Sequence, residues 1–438
     1  MNPASPDTDT TLATLPNGAR VVAIRLPHLA SASVSVFVRA GSQHESARVN
    51  GISHFVEHMA FKGTHTRDCQ RINLDAERLG AEVNAHTDKD HTAFHMRGLA
   101  RDAGRFIEML GDIVRHSTFP EAELERERQV ILHEFIDDED DGLSTAYKLF
   151  DKACFGTHPL AQPVIGTRRA IQRIARNDLL DYVQHQYGAA NVVIGVAGDI
   201  DPDAMLREAE AAFGSMPRGE LNVVAAPGYV GGVSARRLPG CPQTHLVLGF
   251  PIPALQGDHQ PSVVAAALFG EGMSSPLMDE IRERRGLVYY AACSADVMEL
   301  AGQFVIEAST SLQHLDEFFT AAMRLLREHA ERIDEDSLQR ARNQITVRSL
   351  HAQERAYRRL EDAAQDLFTF GRVRSRAEIL GEVQAVSAEQ VREAFAHMLA
   401  VPASVAIAGK VDKAAKDRCL ELFAAGAAAG GVRIDTVP

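Results

Sequence analysis

Residues 191–200 read NVVIGVAGDI and residues 404–411 read SVAIAGKV. With Gly198 set on Gly409 the offset is 211 (409 − 198). Both are β-branched runs that end at a glycine. Each follows an amphipathic helical pattern, 176–187 before the first and 387–399 before the second. A second pair, 124–129 (LERERQ) against 338–343 (LQRARN), matches at an offset of 214 (338 − 124). Two near-equal offsets, each about half of the 438 residues, predict a duplicated unit. The expected domains are 1–217 and 236–438. Between them, 218–235 is rich in Gly, Pro and small residues, as a linker would be.

Within each half, strand and helix patterns come in mixed order. Strands are expected at 19–26, 32–39, 91–97 and 244–250. Helices are expected at 51–62, 71–79, 101–116, 120–136 and 316–331. The neighbouring strand runs 19–26 and 32–39 favour a hairpin over a βαβ unit. The predicted class is α+β, two tandem homologous domains, each a largely antiparallel sheet packed with helices.

A composition of 45 % hydrophobic and 24 % charged residues is that of a globular chain. The net charge of −13 argues against nucleic acid or an anionic membrane as partner. The stretch 1–15 has neither a basic n-region nor an apolar h-region, so a cytoplasmic protein without a membrane anchor is the expectation. Five scattered cysteines (Cys69, Cys154, Cys241, Cys293, Cys419), with no CxxC, support neither a disulfide framework nor a cysteine metal site. Neither G-x-G-x-x-G after a strand nor G-x4-G-K-[ST] occurs, which sets nucleotide binding aside.

Chemistry concentrates in 51–64, GISHFVEHMAFKGT. On a helix, His54 and His58 are i and i+4 and project from one face, a spacing that suits zinc. Glu57 lies beside them as a candidate base. The alternative is a solvated helix face. Ile52, Phe55, Val56, Met59 and Ala60 form an apolar stripe, with Lys62 the one basic residue near the end, so little of this helix reads as solvated.

Catalytic zinc usually takes three protein ligands and leaves a position for water. The helix 120–136, PEAELERERQVILHEFI, places Leu124, Glu127, Ile131 and Glu134 on one face, with Glu125, Arg126, Arg128 and Gln129 left for solvent. Two carboxylates on an apolar face are costly unless something cationic meets them. A zinc ion and a histidine N–H would do so, as would a pair of intramolecular salt bridges.

These residues resemble the pitrilysin-type (inverzincin, M16) metallopeptidases, whose signature is H-x-x-E-H. The similarity is greatest to the branch holding the mitochondrial processing peptidase β-subunit and its bacterial relatives. It extends over the G-x-x-H-F-x-E-H-M-A-F-K-G-T block and the Glu127/Glu134 pair, Glu134 following His58 by 76 residues (134 − 58). The stretch Asn84-Ala85-His86-Thr87 resembles the family's edge strand, which pairs with substrate backbone. In the second half, GEGMSSPLMDEIRERRGLVYY resembles the block in which an Arg and a Tyr reach substrate, here Arg282 and Tyr289. A surface Arg and a half-buried core Tyr are the alternative there.

The resemblance implies a zinc endopeptidase with one Zn²⁺ per chain, held by His54, His58 and Glu134. Glu57 would be the base and Glu127 the partner of a ligand histidine. At the 214 offset, Glu127 and Glu134 become Ala341 and Arg348, and the second copy has no HxxEH, so one metal per chain is expected. Family members with four such domains enclose a chamber. Two domains here imply a homodimer, or a heterodimer with a related subunit, acting on peptides or unfolded segments. A non-catalytic scaffold or partner subunit of a processing-peptidase-like complex is the alternative, against which the retained Glu57 counts.

Overall fold

A computed structural model describes residues 9–412 and 414–428. The first half runs β1 (Thr10–Thr14), β2 (Arg20–Arg25), β3 (Ser31–Val38), α1 (Ile52–Ala60), α2 (Cys69–Arg78), β4 (Glu82–Thr87), β5 (Thr92–Leu99), α3 (Ala103–His116), α4 (Glu121–Asp140), α5 (Gly142–Phe155), α6 (Arg168–Arg173), α7 (Arg176–Gln186), β6 (Val192–Gly198) and α8 (Pro202–Phe213). The second half runs β7 (Gly232–Arg237), β8 (Thr244–Ile252), α9 (Gln260–Gly270), a π-helical segment (Leu277–Arg284), β9 (Val288–Val297), β10 (Gly302–Thr310), α10 (Leu315–Glu331), α11 (Glu335–Gln353), α12 (Ala356–Phe370), α13 (Arg376–Ala385), α14 (Ala388–Leu399), β11 (Ser404–Gly409) and α15 (Ala415–Ala428). The protein is α+β. Residues 232–235, expected in the linker, begin strand β7.

Five strands of each sheet repeat one topology, β2-β6-β3-β5-β4 and β7-β11-β8-β10-β9, and β1 adds a sixth strand beside β2 in the first. The duplicated strand is central in both. β6 lies parallel to β2 and antiparallel to β3, and β11 lies parallel to β7 and antiparallel to β8. The hairpin expected between 19–26 and 32–39 is therefore absent, because β6 is inserted between β2 and β3. Residues 26–30 cross the width of one strand, about 10 Å for two inter-strand spacings, which a five-residue link spans with ease.

A continuous apolar run such as Val192–Gly198 needs cover on both faces. Along β2 and β6, Val21, Ala23, Val192, Ile194 and Val196 face the core shared with α1 and α3. The alternate residues Val22, Ile24, Val193 and Ala197 pack instead on Leu360, Ala363, Ala364 and Leu367 of α12. The second sheet is covered in the same way: Val247, Val305, Ala406 and Ala408 pack on Ala146, Phe150 and Cys154 of α5.

Each sheet thus borrows a helix from the other half of the sequence. The compact units are discontinuous for that reason. One takes the described residues up to Phe135 with Gln162–Val224 and Leu350–Glu378. The other takes Ile136–Ala161, Ala225–Ser349 and the described residues from Ile379 on. Boundaries at 217 and 236 follow the duplication, whereas these units follow the exchange of α5 and α12.

The chain leaving α1 is tied down by Asp112 of α3, which is 8 % exposed. Its Oδ2 accepts from Thr64 Oγ1 (2.7 Å), Thr66 Oγ1 (2.9 Å) and Arg67 Nη1 (2.6 Å). Burial alone would raise this carboxyl. The hydrogen bonds from Thr64, Arg67 and Thr66, with the guanidinium charge, outweigh burial and hold it below the ordinary 3.8. A depressed folded-state pKa stabilises fully above the unfolded value and is lost as pH falls through the folded one. Asp112→Asn should therefore cost about 1–3 kcal/mol at pH 7. The deficit should shrink at pH 3, as measured by urea denaturation at both pH values. An equal deficit at pH 7 and pH 3 would show that the charge is not what the threonines and arginine recognise.

Candidate metal centre

Helix α1 starts at Gly51, whose φ of 95° is left-handed and which lies so near the chain that a Cβ would be 2.8 Å from Ile165 O. The buried carboxylate of Glu45 then gathers the helix's first donors. It accepts from Gly51 N (2.7 Å), Ser53 N (2.8 Å) and Asn50 Nδ2 (2.9 Å). Burial pushes the Glu45 carboxyl up to about 7, against the pull of Ser53, Gly51 and Asn50. Ser53 Oγ also bonds Tyr182 Oη at 2.7 Å. Below this anchored end, Ile52, Phe55, Val56, Met59 and Ala60 are buried, and His54, Glu57 and His58 are only half-buried. The stripe is core, and the polar face is not a solvated one.

The two imidazoles stand edge to face with ring centres 4.6 Å apart. His54 Nε2 lies 3.7 Å and His58 Nε2 3.5 Å from the same Glu134 Oε2. These are too long for hydrogen bonds. Two ligands at 2.0–2.1 Å from one tetrahedral centre lie about 3.4 Å apart, so the spacing is that of three donors around a zinc-sized ion. One ligand atom from each of His54, His58 and Glu134 falls within 4.8 Å of the others. Burial, helped by His58, pushes His54 down to about 3, which keeps it neutral with a lone pair available. His58 Nδ1 bonds Glu127 Oε2 at 3.1 Å, and Lys62 Nζ holds Glu127 Oε1 at 2.6 Å. With Nδ1–H committed to Glu127, His58 Nε2 presents its lone pair. The donor set fits zinc.

Glu57 is fixed by Thr87 of β4, whose hydroxyl donates to Oε2 at 2.6 Å. Burial raises the Glu57 carboxyl, with Glu134 and Asp88 nearby adding to the rise, while Thr87 and His58 draw it down. Asn84, Ala85, His86 and Thr87 lie on β4, which is an edge strand of its sheet and, among the described residues, pairs with β5 alone. Arg282, on the π-helical segment, and Tyr289, on β9, belong to the other compact unit. Tyr289 is 66 % exposed, so it is not the core tyrosine of the alternative reading. Arg282 Nη1 donates to Met273 Sδ (3.7 Å), and its Nε lies 3.9 Å from Glu283 Oε1.

On α4, Leu124, Glu127 and Ile131 are buried and Glu134 is 43 % exposed at its side chain. Arg128 departs from expectation. It is buried, not solvated, because its guanidinium donates to Ile171 O and Ile174 O (2.7 Å), carbonyls at the end of α6. Glu45, Lys62 and the Thr87–Glu57 bond were not legible in the sequence, since none carries a periodic or spacing signal.

Two family models match the chain: Insulinase (Peptidase family M16) over residues 20–168, and Peptidase M16 inactive domain over residues 173–345. A protein of Rickettsia bellii (strain RML369-C) described as an uncharacterized zinc protease is 30 % identical over 398 residues, 90 % of this chain and 96 % of that one. The chain belongs to peptidase family M16. Within the family it is 27 % identical over 405 residues to the mitochondrial-processing peptidase subunit beta of Lentinula edodes, covering 87 % of this chain and 86 % of that one. The fold is shared with the crystal structure of a protease from Helicobacter pylori, at a TM-score of 0.83 and 19 % identity over 92 % of this chain and 99 % of that chain. Membership supports a protease function, and relatives named zinc proteases imply zinc. Among the described residues, no helix is long and apolar enough to cross a membrane.

Proposed function

We propose that this chain is a zinc endopeptidase of peptides and unfolded segments, with one Zn²⁺ held by His54, His58 and Glu134. The observation that carries it is the convergence of two imidazole nitrogens on one carboxylate oxygen at 3.5 and 3.7 Å, with Glu57 on the same helix. The chemistry a zinc ion supplies at such a site is polarisation of a carbonyl oxygen and acidification of water.

The chain's own residues do the rest. Glu57 takes the proton from water attacking the scissile carbonyl and delivers it to the leaving amine. Thr87 holds one Glu57 oxygen and leaves the other for that proton. Glu127, itself pinned by Lys62, fixes the His58 tautomer. The edge position of β4 suits residues Asn84 to Thr87 for pairing with an extended peptide. Arg282 and Tyr289 are assigned to contact bound substrate. A second chain, identical or related, is proposed to complete with these two homologous halves a chamber that admits extended segments and excludes folded proteins.

The test is zinc content by elemental analysis together with hydrolysis of an unstructured peptide library. At least one zinc per chain, with cleavage abolished by a chelator and restored by zinc, is expected. A chain without stoichiometric zinc, and inert when zinc is supplied, overturns the reading in favour of a non-catalytic subunit. Bound zinc without cleavage by the pure chain keeps the metal centre and overturns self-sufficiency, making a related partner subunit necessary.

A further inference from the structure

We propose that the turn between β4 and β5 carries a second divalent-metal site, formed by His86, Asp88 and His91 and suited to zinc-class ions. One ligand atom from each lies within 4.8 Å of the others. His86 Nε2 and His91 Nε2 each stand 4.0 Å from Asp88 Oδ2, so, as at the first centre, two imidazole nitrogens face one carboxylate oxygen across a gap too long for hydrogen bonding. The rings are set edge to face, 5.4 Å between centres. Two imidazoles and one carboxylate form a donor set for zinc, cobalt or nickel, not for calcium or magnesium, which prefer oxygen throughout.

Two features make this a built arrangement. The first is orientation. His91 Nδ1 bonds Asp90 Oδ1 at 2.8 Å, the same carboxylate–imidazole pairing that Glu127 makes with His58. With that nitrogen's proton committed to Asp90, the Nε2 lone pair turns toward Asp88 and His86.

The second is a rigid base. Asp88 N donates to His91 O (2.8 Å), closing the turn on itself. The chain after β3 clasps it from behind, with Ser42 N donating to Asp88 O (3.1 Å) and Gln43 N to Lys89 O (2.9 Å). Gly41 allows this clasp, because a Cβ there would lie 2.3 Å from Asp88 O. The His91 ring also rests against Phe37, 5.9 Å between centres. Asp88 has the most room to adjust, its side chain being 62 % exposed against 33 % for His86 and 20 % for His91. A swing of about half an ångström brings its oxygen from 4.0 Å to the roughly 3.4 Å spacing of tetrahedral zinc ligands.

Other charges face the cluster. Glu361 of α12 adds a favourable carboxylate to both histidines and Arg358 an unfavourable cation to His86. The His95 ring lies 5.8 Å from that of His86. The competing account of the same residues is a metal-free cluster of imidazolium and carboxylate.

The proposed site shares no ligand with the first and does not depend on the peptidase reading, so it is tested where the first centre has been disabled. Full-length chain carrying His58→Ala and Glu134→Gln is titrated with CoCl₂, followed by visible absorption, and with ZnCl₂ in equilibrium dialysis. One equivalent of bound metal is expected. It should weaken at least tenfold on adding His91→Ala, and similarly on adding Asp88→Asn, an exposed position whose replacement leaves the turn's backbone bonds intact. Circular dichroism checks that each variant is folded. No binding beyond a protein-free control, or binding that neither substitution weakens, overturns the proposal and leaves the cluster an ion-pair network.

Discussion

Glu57→Gln is expected to lower peptide hydrolysis by about 10²–10⁴-fold, the range that a positioned general base contributes. Bound zinc should stay at the wild-type level. The two effects separate because Glu57 is not among the three converging donors. The carboxamide keeps the size of the carboxylate, and its oxygen can still accept from Thr87, as Oε2 does now at 2.6 Å. What it loses is basicity: a neutral amide does not take a proton from water. The lesion should therefore appear in kcat and leave KM for an unstructured peptide nearly unchanged. Steady-state kinetics with parallel metal analysis decide it. A variant that cuts at near wild-type rate removes Glu57 from the chemistry, and one that loses its zinc makes Glu57 part of the metal's support instead.

Much of this centre is legible in the sequence because it rests on helical periodicity. The i, i+4 pair His54 and His58, and the seven-residue interval from Glu127 to Glu134, fall on single faces whatever the tertiary context. The half-buried state of His54 and His58 beside five buried apolar neighbours follows from that alone. Residues that act through tertiary contact give no such signal. Glu45 serves α1 from outside the helix, Thr87 reaches Glu57 from a strand, and Arg128 is drawn inward by carbonyls at the end of α6.

The same division holds for the fold. The duplication is readable because both central strands end in glycine after a helix. The partner of each strand is not readable, since pairing depends on what enters the sheet later in the chain. β6 arrives after some 150 residues to separate β2 from β3, and local proximity cannot foresee it. The exchange of α5 and α12 is hidden for a related reason. Phe150 and Leu360 read only as apolar helix positions, and nothing local says whose sheet they cover.

His58→Ala should empty the first metal centre, while Glu127→Gln should only weaken it. Removing His58 deletes one of three donors and strips Glu127 of one of its two partners, leaving that buried carboxylate with Lys62 alone. Zinc retained after dialysis at the first centre should fall to background, and hydrolysis with it. Glu127→Gln keeps all three donors and loses only the charge that orients the imidazole, so metal affinity should drop by about 10–100-fold.

Thermal unfolding gives a readout independent of turnover. An ion bound by the folded chain alone, at a thousand times its Kd, stabilises by about 4 kcal/mol. The wild-type Tm should therefore fall on chelation and recover with zinc, and the Glu127→Gln midpoint should need more zinc to recover. To keep the hairpin cluster from contributing, the comparison is made in a His91→Ala background. There, His58→Ala should show no zinc-dependent shift in Tm. Had Glu127 and Glu134 been placed on one face only to form salt bridges, His58→Ala would lower stability to the same extent with and without zinc, because no ion would be lost.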